Sequence, residues 1–139
     1  MPMGPLWARM SQRKRRPMAT LKREDIPLAA GVYALYRSGK PMYVGKAKSL
    51  QGRVWKNHSG RGLGMGSSAM RRNVAEHLGI ANAKDIKEGR HLVSPKEAKR
   101  VRDWLDRCGI AWRECPSEAA AEKLEKAMKR EHKPPLTKR

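Results

Sequence analysis

The chain has 139 residues and carries 32 Lys plus Arg against 13 Asp plus Glu, a formal charge of +19. At about 100–200 residues per domain the length allows one domain with a modest core, and no apolar run approaches the ~18 residues of a membrane span. Two cysteines, Cys108 and Cys115, are too few for a disulfide scaffold or a Cys-based zinc site, which fits a reducing intracellular compartment, cytoplasmic or nucleoid-associated.

Residues 1–25 contain Arg13, Lys14, Arg15 and Arg16 without hydrophobic periodicity, and the composition predicts a flexible basic arm. Residues 26–139 read as a single domain with a helical insertion at about 60–108. From Ile26 through Ala75 there is no acidic residue, yet the stretch holds Arg37, Lys40, Lys46, Lys48, Arg53, Lys56, Arg61, Arg71 and Arg72. A basic surface of this kind suits a polyanion, because each phosphate neutralised by Lys or Arg releases condensed counterions.

The runs Val32 to Tyr36 and Met42 to Val44 flank Ser38-Gly39-Lys40-Pro41, which predicts a hairpin. With Gly39 at the centre of a three-residue loop, Tyr33 opposes Gly45 and Leu35 opposes Tyr43. Both tyrosines then share a face, and a slip of one residue would separate them.

A helix is predicted from about Ser49 to His58, with Leu50 and Val54 on its core face and Gly52 weakening it by about 1 kcal/mol relative to Ala. Gly60 to Gly66 is expected to be a connector, and with no Gly-Lys-Ser/Thr after it a P-loop is unsupported. The next helix starts near Ser67 or Ser68, buries Met70, Val74 and Leu78 and stops at Gly79 in a Schellman-like ending. A further helix opens on Ser94 as N-cap, Pro95 and Glu97. Its stripe of Ala98, Val101, Leu105 and Cys108 makes Cys108 core filler. Ile110 to Cys115 reads as a strand, and a last helix runs from the cap Ser117 to about His132, ended by Pro134-Pro135. The order gives an α+β class with a small three-stranded antiparallel sheet flanked by helices.

Gly31-Val32-Tyr33, nine residues, then Tyr43-Val44-Gly45-Lys46-Ala47-Lys48-Ser49-Leu50, with Arg53 ten residues after Tyr43 and Leu124-Glu125 on a distant helix, resembles the GIY-YIG nuclease superfamily. The local likeness is greatest to the N-terminal nuclease domain of the bacterial UvrC excision-repair proteins. The motif pieces cover about residues 26–58 and 110–137. On helix angles alone, at about 100° per residue from Leu124, Ala121 and Met128 lie near 60° and 40°, Glu125 near 100° and Glu118 near 120°. Angle therefore leaves Glu118 open, and Glu125 is selected by the resemblance. Where relatives often carry His or Tyr four residues after the motif Arg, this chain has Asn57, with His58 one residue later. Where they commonly carry Asn twelve residues after the motif Glu, it has Thr137.

The resemblance implies metal-dependent hydrolysis of DNA phosphodiesters, in a repair or restriction setting, on double-stranded or branched DNA. Glu125 would hold Mg²⁺ or Mn²⁺ and Arg53 the scissile phosphate. Tyr33 would be the general base, Tyr43 would orient the water or phosphate, and Lys46 would assist the phenolate or bind phosphate. His58 is a proton-transfer or contact residue. Lys46, Lys48, Lys56, Arg61, Arg71 and Arg72 are the expected nucleic-acid contacts. Charge and composition alone also admit an inactive DNA- or RNA-binding module and a basic ribonucleoprotein component, and the oligomeric state stays open.

Overall fold

The computed structural model describes residues 4–58, 65 and 68–138, with only the backbone at 56–58. Its elements are α1 (Pro5–Gln12), β1 (Arg16–Pro17), β2 (Gly31–Arg37), β3 (Lys40–Ala47), a π-helix (Gln51–His58), α2 (Ala69–His77), α3 (Ala83–Lys87), α4 (Pro95–Asp106), β4 (Gly109–Glu114) and α5 (Glu118–Glu131). No helix among the described residues is long and apolar enough to cross a membrane.

The class is α+β, but the antiparallel sheet has four strands in the order β1-β4-β2-β3 instead of the expected three. The added strand is only Arg16–Pro17, paired with Ile110 and Gly109, too short to leave a period in the sequence. Central β2 is covered on both faces. Tyr33, Leu35 and Ile110 pack with Leu50, Val54, Met70, Val74 and Leu105 on one side. Val32, Ala34, Tyr36, Val44 and Ala111 pack with Trp7, Met10, Ala121 and Met128 on the other. Burial on both faces explains why β2 reads as an almost unbroken apolar run.

The expected flexible arm is folded from Pro5 onward. An eight-residue helix is marginal alone, and α1 holds because it docks on the end of α5. Trp7 is fully buried, and its indole N–H donates to Met128 O at 2.9 Å and His132 O at 3.0 Å. The Glu131 carboxylate accepts from the Leu6 and Trp7 N–H groups, placing a negative charge at a helix N-terminus, where the exposed amides and dipole favour it.

The hairpin reaches the expected register by a different turn. Arg37 pairs with Lys40 across Ser38 and Gly39, both at positive φ (53° and 78°), the pattern that primed two-residue turns require. An irregularity after Leu35 then restores the Leu35–Tyr43 and Tyr33–Gly45 pairs. The helical predictions stand at their ends: Ser68 and Ser94 are caps, Glu97 closes a capping box and Ser117 caps α5. After α2 the Gly79 and Ile80 N–H groups donate to Glu76 O and Ala75 O, each at 3.0 Å, the two bonds of a Schellman ending. Cys108 is buried, and burial pushes its thiol up to about 12, as suits core filler. The glycine-rich connector lies largely outside the described residues.

Candidate active site

Two glycines let the motif strands close up. A β-carbon on Gly31 would strike Arg113 O and approach Leu50 Cδ1, and one on Gly45 would strike the Tyr33 hydroxyl. Tyr33 thus lies across its cross-strand neighbour Gly45 and stacks on Tyr43, ring centres 6.1 Å apart with planes at 23°. The two phenols share a hydrogen bond.

Burial is the largest influence on both rings and moves both pKa values upward, that of Tyr33 well above the ordinary tyrosine range. Arg53, exposed on the π-helix, pulls both down, and Glu125 pushes both up. These opposing effects locate Arg53 and Glu125 as electrostatic neighbours of the same two phenols.

Glu125 comes from α5, across the sheet from Tyr33, and meets Tyr43 at the flank of β3. There a cavity of about 340 Å³ is lined by Tyr43, Arg72, Asn73, Glu125, Lys129 and Thr137, among others. Glu125 is held by Lys129 at 3.2 Å, one helical turn on, with 13% of its side chain exposed. Arg72 donates to Met65 O at 3.1 Å.

The C-terminal segment completes this flank. Leu136 N–H donates to Met42 O at 2.9 Å, Val44 N–H to Thr137 Oγ1 at 3.0 Å, and Asn73 Nδ2 to Leu136 O at 2.9 Å. Thr137, one of the two departures from the motif pattern, therefore fastens β3 through its hydroxyl.

Lys46 does not join the tyrosines. It shares the face of Val44, on the α5 side, and pairs with Glu122 at 3.8 Å; strand alternation from Tyr43 carried that signal. Arg71 is 2% exposed, turned into the protein rather than offered to a ligand, whereas Lys48 is exposed. The side chains of Lys56 and His58, and all of Arg61, lie outside the described residues. Lys129 and Asn73 are cavity residues that sequence reasoning missed. Only the i, i+4 spacing from Glu125 pointed to Lys129, and no local pattern marked Asn73.

Among the described residues no three His, Cys, Asp or Glu side chains converge as a metal-binding group. The oxygen donors of the side chains lining the cavity are the Glu125 carboxylate, the Tyr43 phenol, the Asn73 amide and the Thr137 hydroxyl. That fits a hard divalent ion held by one carboxylate, water and substrate phosphate, and does not fit a caged structural metal.

A model of the GIY-YIG catalytic domain matches residues 16–139. No curated protein matches the chain. The family match begins at Arg16, the first residue of β1, and runs through the strands, the π-helix and α5 that build the tyrosine, arginine and glutamate cluster. The chain belongs to the GIY-YIG family of nucleases.

Proposed function

We propose that this protein is a metal-dependent DNA endonuclease that hydrolyses phosphodiester bonds. The observation that carries the reading is the cluster itself: Arg53 and Glu125 are each electrostatic neighbours of both Tyr33 and Tyr43. Beside it lies a cavity whose lining includes Arg72, Lys87, Lys129 and Lys138 against the single carboxylate of Glu125. Such a lining attracts a polyanion while reserving one position for a cation.

Arg53 would grip the scissile phosphate with a planar, permanently charged fork and stabilise charge growing on its oxygens. Glu125 would hold Mg²⁺ or Mn²⁺ with water completing the shell, and Lys129 would release it on ion binding. The ion, when bound, would supply Lewis-acid stabilisation at the phosphate. Tyr33 would take the proton of the attacking water. Its own proton would first pass to solvent, and a hydrogen bond donated by Tyr43, with the charge of Arg53, would favour the phenolate. Lys46 and Lys48 would serve the flanking backbone only.

The test is cleavage of labelled duplex, flap, branched and single-stranded DNA across Mg²⁺ and Mn²⁺ titrations. Glu125→Gln and Arg53→Ala are each expected to lose at least about 100-fold in kcat while fold and DNA binding persist. Parental turnover in Glu125→Gln overturns the assignment. Binding without product on every substrate selects an inactive binding module instead.

A further inference from the structure

We propose that a second cleft, on the other flank of α5, binds the backbone of duplex DNA continuing from the cut site. The cleft has a volume of about 590 Å³ and lies among α1, the α1–β1 link, β4 and α5. Its lining carries the cations Arg9, Arg13, Lys14, Arg16 and Arg113 and no acidic side chain. Arg16 pairs with Asp25 at 3.8 Å, and Arg13 donates through Nε to Trp112 O. Arg9, Lys14 and Arg113 have no carboxylate partner among the described residues. Three uncompensated cations around one concavity raise the local potential for an anion far above that of scattered surface lysines.

The position of the cleft identifies its ligand. Leu124 and Met128 of α5 line it, while Glu125 and Lys129 of the same helix line the cavity beside Tyr43. One helix is thus the wall between the two. A helix with its side chains is roughly 10–12 Å across, about three steps of a DNA strand at ~3.4 Å each. A phosphate at Glu125 and phosphates in the cleft can therefore belong to one continuous duplex. The cations Arg9, Arg13 and Lys14 precede Arg16, where the family match starts, while Arg16 and Arg113 lie within it.

The inference rests on the nuclease reading for the choice of DNA, but its test uses binding alone. In a Glu125→Gln background with EDTA, affinity for a fluorescein-labelled duplex is measured against salt for the parent and for Arg9→Gln/Lys14→Gln/Arg113→Gln. A control neutralises Lys84, Lys96 and Lys99, exposed cations on α3 and α4. Each lost phosphate contact removes about 0.9 from the slope of log K against log salt. The cleft variant is therefore expected to flatten by about 2.7 and the control by little, with thermal melts of all three alike. A parental slope in the cleft variant, or an equal loss in the control, overturns the proposal. Loss of binding without cleavage by any form of the protein would leave the cleft standing and remove the endonuclease reading.

Discussion

The ring of Tyr33 occupies the space above Gly45 that a side chain would need, so the second glycine of the motif exists to seat the first tyrosine. Replacing it tests that relationship directly. Gly45→Ala is expected to cost about 1–3 kcal/mol, the usual penalty for overfilling a packed site. Urea denaturation measures the cost, and a loss of cleavage larger than the stability change accounts for would report displacement of the Tyr33 hydroxyl. Unchanged stability would mean that the ring moves aside freely.

The tyrosines also set a pH dependence. Burial raises the pKa of Tyr33 well above its ordinary value, so at neutral pH the phenol is almost wholly protonated. If the phenolate takes the proton of water, kcat should climb about tenfold per pH unit from pH 7 to 9. Tyr33→Phe should remove both the slope and most of the rate. Stability carries the opposite sign. A group with a raised folded pKa keeps its contribution below the unfolded value, about 10 for tyrosine, and loses it as pH rises further. Alkaline denaturation should therefore begin above pH ~10 and be blunted in Tyr33→Phe.

Thr137 offers a test in which shape is held constant. Thr137→Val keeps the side-chain outline but leaves the Val44 N–H, buried and bonded at 3.0 Å, without its acceptor. The expected loss is about 1–3 kcal/mol, with faster exchange of the Val44 amide. Thr137→Ser should recover most of it.

Trp7 ties the start of the chain to the end of α5. Trp7→Ala should cost about 3–5 kcal/mol, as for other buried tryptophans, and free the α1 amides to exchange. If residues 5–12 stayed protected in this variant, the indole would not be what anchors α1.

These residues also separate what the sequence made legible from what it did not. Period two and turn composition were sufficient to pair Tyr33 with Gly45, although the actual turn has two residues and a compensating irregularity. The two changes cancel in the register, so the pattern could not reveal them. Caps at Ser94 and Ser117 and the stop at Gly79 were readable because each is a local exchange of hydrogen bonds. The fold of α1 was hidden because its stability comes from bonds to Met128, Glu131 and His132, more than 120 positions away. In the candidate site, Tyr33, Tyr43, Arg53 and Glu125 were reached through the family resemblance. Lys46 was placed with them by the same resemblance, but the alternation of a strand sends it to the other face.

The closure of β3 by the C-terminal segment has a consequence for the protein in solution. β3 is the terminal strand of the sheet, and an outer strand with a free row of amides and carbonyls is a template on which another chain can add. Leu136 at the Met42 carbonyl and Thr137 at the Val44 amide take up two groups of that row. At the opposite border β1 has two residues, and one of them is Pro17, which has no amide hydrogen to offer. A truncation ending at Pro135 would uncover β3, and the first symptom would be strand exchange and aggregation as protein concentration rises.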